Sequence, residues 1–136
     1  MTEYEEQLII SEYISINYPN VIFFTDGSAG IKLRIGQAVK LKNLKSSRGL
    51  PDLFILESKN SYHGLIIELK RTGEKLYKKD GVTFKTEHLQ EQSEILERLE
   101  YKGYYACFAL GFDAAISTIN DYMNERLWIL LRISNK

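Results

Sequence analysis

Apolar residues in the opening segment recur near helical spacing. Leu8, Ile9, Tyr13 and Ile16 carry the pattern, and Pro19 ends it, which predicts a helix over residues 3–17. Val21-Ile22-Phe23-Phe24 is a short run of β-formers and predicts a strand. Asp26 to Gly30 is a turn or loop. Residues 31–47 are ambiguous, although Ala38, Val39, Leu41 and Leu44 allow a short basic helix. After the break at Arg48-Gly49-Leu50-Pro51, Leu53-Phe54-Ile55-Leu56 is a continuous apolar run suited to a strand covered on both faces. A turn at Lys59-Asn60-Ser61 leads to a second buried strand from Leu65, and the two are expected to pair as a hairpin. Residues 71–85 read as a polar, basic loop, long enough to suggest a function.

Thr86 is placed to cap a helix that runs to Lys102 and stops at Gly103. Tyr104 to Leu110 predicts a strand. Gly111-Phe112-Asp113 opens a helix to about Asn124, with Ala115, Ile116, Ile119, Tyr122 and Met123 inward. Leu127 to Ile133 is a final strand or helix, and Trp128 is expected to anchor it. The order of elements implies one α/β domain spanning residues 1–136, with a central mixed β-sheet flanked by helices.

Composition narrows the class. At 44% hydrophobic and 26% charged residues the chain is too apolar for disorder. No apolar run approaches the roughly 18 residues of a membrane span, so no membrane partner is expected. Glu3, Glu5 and Glu6 stand where a secretory signal would place basic residues, so a cytoplasmic, not secreted, protein is expected. The single Cys107 excludes an internal disulfide framework and a Cys-based zinc site.

Eighteen basic and eighteen acidic side chains cancel, but their order matters. Residues 1–26 carry −5, residues 27–85 carry +8 and residues 86–136 carry −3. From Gly27 to Pro51 there is no acid, while Lys32, Arg34, Lys40, Lys42, Lys45 and Arg48 accumulate. Lys70, Arg71, Lys75, Lys78 and Lys79 form a second cluster. Local positive charge steers polyanions whatever the total. Lys42, Lys45, Arg48, Arg71 and Lys75 are the candidate nucleic-acid contacts, and a single such cluster is otherwise an ordinary solvated surface.

The candidate chemistry lies inside this basic block. Asp52 opens a strand, and Glu68 and Lys70 close the next one on a common face, because strand side chains alternate. A hairpin would bring Asp52 beside Glu68. Two carboxylates at the edge of an apolar core are costly unless something binds them. Mg²⁺ takes such oxygen ligands and keeps several waters. Glu-x-Lys on a strand is common by itself; its combination with Pro51-Asp52 and two buried strands is not. Gln92 falls on the apolar stripe Leu89, Ile95, Leu96 and Leu99, where its amide needs a partner. That partner is either a backbone carbonyl or the Glu68/Lys70 edge. Glu3 and Glu6 share a face with Gln7 and Ile10, and physics alone makes them a solvated helix start. His63 and His88 read as surface or turn residues, without metal-ligand spacing.

Taken in order, Glu3-x-x-x-Gln7, Arg48-Gly49-Leu50-Pro51-Asp52, Glu68-Leu69-Lys70-Arg71-Thr72-Gly73 and Gln92 followed by Gly103 resemble the VRR-NUC domain. This is the virus-type replication-repair nuclease branch of the PD-(D/E)XK superfamily, and the resemblance spans residues 3 to 123. It implies a restriction-endonuclease-like core and hydrolysis of DNA phosphodiesters with Mg²⁺ or Mn²⁺. It assigns Asp52 and Glu68 to the metal, together with the carbonyl of Leu69. It assigns Lys70 and Gln92 to catalysis, and Glu3 to the first-helix acid, with Glu6 as the fallback. The size suggests a stand-alone, phage-type member, for which the resemblance implies a homodimer acting on branched or structured DNA. The basic segment 31–48 matches no motif of the family. A non-catalytic DNA-binding module on the same fold, and a small interaction protein with merely charged surfaces, are the alternatives.

Overall fold

A capping box starts the first element. The Thr2 hydroxyl accepts from the Glu5 amide and the Glu5 carboxylate accepts from the Thr2 amide, both at 3.1 Å. Helix α1 then runs over Glu3–Asn17, in a computed structural model that describes residues 1–26 and 32–127. Its buried face is Glu6, Gln7, Ile10 and Ile14, and it packs on α4 (Phe112–Met123) and β3 (Leu65–Lys70). Leu8 and Ile16, expected inside, are exposed instead. The inner stripe is set by the polar pair Glu6 and Gln7, which an apolar periodicity cannot register.

Strand β1 is Phe23–Thr25. The ambiguous basic segment contains helix α2, Ile35–Asn43, and buries none of its residues. Val39 and Leu44, two of the apolar residues that allowed a helix here, are exposed. Strand β2 is Leu53–Ile55 and pairs antiparallel with both β1 and β3. Strand β4, Tyr105–Leu110, pairs parallel with β3, so the sheet is mixed and ordered β1-β2-β3-β4. The crossover between the parallel strands carries helix α3, Glu87–Tyr101. The Thr86 hydroxyl caps α3 by accepting from the Leu89 amide at 3.1 Å. Gly103 ends that segment with φ +98°, and a Cβ there would sit 2.6 Å from the His63 ring, so glycine is required. The expected hairpin, α3 and α4 are all present. Expectations for residues 27–31 and for 128–133, including Trp128, lie outside the described residues.

Strand alternation divides the sheet into two faces. Leu53, Ile55, Leu65, Ile67, Leu69 and Ala109 point to one face and form the core with Ile10, Ile14, Ala115, Ile119 and Tyr122 of α1 and α4. The other face carries Ile66, Glu68 and Lys70 and meets α3. Tyr122 ties the far end of the hairpin to α4. Its hydroxyl donates to the Glu57 carbonyl at 2.6 Å and accepts from the Lys59 amide at 3.2 Å. Among the described residues no helix is long and apolar enough to cross a membrane.

Candidate active site

The antiparallel register places Leu53 opposite Ile67, so Asp52 falls opposite Glu68 and Pro51 opposite Leu69. Asp52 gives its backbone carbonyl to the Asp26 amide on the β1 side at 2.7 Å. The backbone groups of Leu53, and of Pro51 two residues earlier, therefore turn toward β3. Proline has no N–H to offer the Leu69 carbonyl. That carbonyl is thus left without its ladder donor, next to the Asp52 carboxylate. The Leu69 amide is satisfied by Asp52 itself, whose Oδ2 accepts from it at 3.0 Å. One proline both ends the ladder and leaves an oxygen facing the acids.

Glu68 is 3% exposed. Its Oε1 accepts from Gln92 Nε2 at 2.7 Å and lies 3.5 Å from Lys70 Nζ. The Gln92 amide therefore reaches the Glu68/Lys70 edge, not a backbone carbonyl. Gly49 stands beside it and is favoured there by its φ of +75°, since a Cβ would lie 3.6 Å from Gln92 Cγ in ordinary contact. Glu68 Oε2, Gln92 Oε1 and Ser47 Oγ are buried without a hydrogen-bond partner in the protein. Burial pushes the Glu68 carboxyl far up, and the neighbouring charge of Asp52 pushes it further, against the pull of Lys70. Burial also raises Asp52, to about 6; the Leu69 amide and the Lys70 charge oppose this, while the Glu3 charge adds to it.

These residues open onto a cavity of about 490 Å³. Its lining joins Glu3, Asp52, Glu68, Lys70 and Gln92 to Lys42, Lys45 and Arg48 from the basic segment. Glu3 is thus the first-helix acid at the cavity. Glu6 turns to Thr72, whose hydroxyl donates to its Oε1 at 3.5 Å, and does not line it. The described part of the basic segment, residues 32–48, acquires a place: α2 and the turn after it form one wall, held by the Lys45–Asp26 ion pair at 2.8 Å. Arg71 and Lys75 do not line the cavity and lie exposed in the following segment. Several lining residues, His88 and Ser47 among them, escaped sequence reasoning as site residues. His88 is exposed as expected but borders the cavity, one helical turn before Gln92, and that spacing could have flagged it. Ser47 carried no signal beyond standing next to Arg48.

The donor set fits a divalent cation. Two adjacent carboxyls held high by burial with Lys70 as the cation beside them, an unpartnered Glu68 oxygen and a carbonyl freed by Pro51 are a set of hard oxygen ligands. Among the described residues no cluster of three or more His, Cys, Asp and Glu side chains is arranged to enclose a metal. A two-carboxylate edge suits an ion that retains several waters better than it suits zinc.

No protein-family profile matches the sequence. No curated protein matches it either. Among solved structures the chain is similar to a VRR_NUC domain protein, at 26% identity over 91% of this chain and 89% of that one, with a TM-score of 0.62. A mixed four-stranded sheet with four helices among the described residues, matched over nearly the full length of both chains, gives this chain the fold of that VRR_NUC domain protein.

Proposed function

We propose that this protein is a Mg²⁺- or Mn²⁺-dependent deoxyribonuclease that cleaves branched or structured DNA internally. The observation that carries the reading is the convergence of Asp52, Glu68, Lys70 and Gln92 on one basic-walled cavity, with Glu68 Oε2 left unpartnered inside it. Asp52, Glu68 and the Leu69 carbonyl would hold the cation, with Glu3 lining the same cavity. The bound ion supplies Lewis-acid polarisation of a phosphoryl oxygen and a lowered pKa for water. Lys70 Nζ, 3.5 Å from Glu68, orients the attacking water and offsets charge on the scissile phosphate. Gln92 fixes the Glu68 carboxylate by its 2.7 Å hydrogen bond, which leaves Oε2 directed elsewhere. Lys42, Lys45 and Arg48 draw the phosphate backbone onto the cavity wall. On this proposal the enzyme is of phage type, works in the cytoplasm and acts as a homodimer.

Purified protein is incubated with flap, fork, four-way-junction and linear DNA, with and without Mg²⁺ or Mn²⁺. Metal-dependent products are expected from the branched substrates, and Lys70→Ala should retain DNA binding while yielding none. Equal cleavage by Lys70→Ala overturns the assignment. Metal-independent binding with no products at all marks the protein as a DNA-binding module. Light scattering of the free protein tests the dimer.

A further inference from the structure

Residues 71–85 are not an unstructured loop. They fold into a short two-stranded arm with a bridge between Tyr77 and Phe84. The Lys78 amide donates to the Thr83 carbonyl at 2.7 Å, and the Lys85 amide donates to the Leu76 carbonyl at 2.8 Å. Gly81, at φ +71°, turns the tip. Asp80 fastens it: Oδ1 accepts from the Val82 and Thr83 amides at 2.9 Å, and Oδ2 from the Thr83 hydroxyl at 2.6 Å. The acid of the tip is thus engaged within the tip. Lys75, Lys78, Lys79 and Lys85 stand exposed around it.

Both ends of the arm rise from the candidate site. One follows Lys70, and the other leads through Thr86 into His88 and Gln92. A line of aromatic rings joins the two. Phe108 of β4 stands in register with Glu68. The Phe84 ring lies 6.2 Å from that of Phe108, and Tyr77 stacks on Phe84 at 4.8 Å with an interplanar angle of 29°. Tyr77 ends the line and is 42% exposed. The stacked partner holds one face of the phenol ring, so its orientation is set before any ligand arrives. An oriented, exposed aromatic ring among four lysines is the arrangement that takes a nucleobase on the ring and phosphates on the ammonium groups. Duplex DNA hides its base faces in the stack, so a ring of this kind selects unpaired nucleotides.

We propose that the 71–85 arm is a single-strand clamp. In it Tyr77 stacks on an unpaired base flanking the cleavage point, and Lys75, Lys78 and Lys79 hold the adjoining phosphates. The proposal rests on the nuclease reading for its biological sense and gives that reading a substrate element, the single-stranded limb of a branch.

The test measures binding by fluorescence anisotropy in EDTA, where cleavage does not intervene. Probes are a labelled 12-nucleotide single strand and a duplex of the same sequence, titrated at several salt concentrations. Tyr77→Ala should weaken single-strand binding about tenfold or more, and Tyr77→Phe should retain it. Paired substitution Lys78→Ala with Lys79→Ala should flatten the logarithmic salt dependence for the single strand by about 1.4, two phosphate contacts at roughly 0.7 each. Tyr77→Ala should lose less than threefold on duplex. Wild-type single-strand affinity in Tyr77→Ala, or equal losses on both probes, overturns the clamp. Circular dichroism of each variant separates these outcomes from misfolding. If the wild type cuts branched DNA while Tyr77→Ala binds normally, the clamp fails and the nuclease stands. If the wild type cuts nothing while Tyr77→Ala loses the single strand, the clamp stands and the nuclease fails.

Discussion

Replacing Asp52 with asparagine should make the metal-free protein more stable and the metal-loaded protein comparatively weaker. Asp52 is 7% exposed, and its carboxyl is raised from 3.8 to about 6. At pH 7.5 that difference corresponds to roughly 3 kcal/mol of folding free energy lost to holding the anion. The asparagine removes the charge, and its amide oxygen can still accept from the Leu69 amide. Its NH₂ group is a new buried donor, which costs on the order of 1 kcal/mol. A net gain of about 1–2 kcal/mol remains, or roughly 4–8 °C in melting temperature for a domain of this size. Mn²⁺ at one hundred times its dissociation constant should stabilise the wild type by about 2.7 kcal/mol. Without one of its two carboxylates the variant should gain little. The melting curves should therefore reverse their order: variant above wild type in EDTA, wild type at or above variant in Mn²⁺. Thermal unfolding at pH 7.5 by circular dichroism, in EDTA and in Mn²⁺, measures both orders. A variant less stable than wild type in EDTA would show that protein groups already neutralise Asp52. Equal Mn²⁺ shifts in the two proteins would place the cation elsewhere.

Three further outcomes follow from the same geometry. Asp52 and Glu68 both lie above their ordinary values, so what they contribute to stability is complete in acid and is lost as pH rises from about 4 through about 6 and on toward about 9. The Mn²⁺-induced rise in melting temperature should accordingly be larger at pH 8 than at pH 5.5, and an equal or reversed shift would contradict the coupling. Gly49→Ala keeps space beside Gln92, whose Cγ is 3.6 Å from the added Cβ, but forces alanine to φ +75°. It should cost about 1–2 kcal/mol in urea unfolding and lower cleavage by loosening Gln92; unchanged stability would count against the left-handed turn. Tyr122→Phe removes the hydroxyl between Glu57 and Lys59 and should cost about 1–2 kcal/mol in urea unfolding while leaving metal binding intact; a loss under 0.5 kcal/mol would mean that water replaces it.

Local signals were the legible ones. The Thr86 cap, the Gly103 stop and the two apolar runs around residues 53 and 65 are written in neighbouring residues, and the elements appear where those signals lie. Asp52, Glu68, Lys70 and Gln92 were readable together because alternation and helical spacing are rigid rules that bring them to one edge. Helix α1 was found in the right place but with part of its inner face misread, since Glu6 and Gln7 occupy buried positions that a hydrophobic pattern gives to Leu8 and Ile16. Helix α2 stayed ambiguous because it buries nothing, so no stripe marks it. Its role as a cavity wall depends on the Lys45–Asp26 pair, nineteen positions apart, and on a strand register that composition does not encode. The aromatic line from Phe108 to Tyr77 was invisible for the same reason. Its middle and outer rings lie in a segment whose polar sequence reads as a loop, and only the folded crossover stacks them.

The β2–β3 register has a genetic consequence. Asp52 and Glu68 meet because Leu53 faces Ile67, not because a fixed number of residues separates them. Insertions or deletions within the connection between the two strands that preserve this pairing should be silent. A one-residue slip within either strand would turn one carboxylate into the apolar core and present a leucine or isoleucine in its place. Across a library of length variants, survival should therefore track the parity of strand alignment instead of loop length. The reading frame under selection is the ladder of the hairpin.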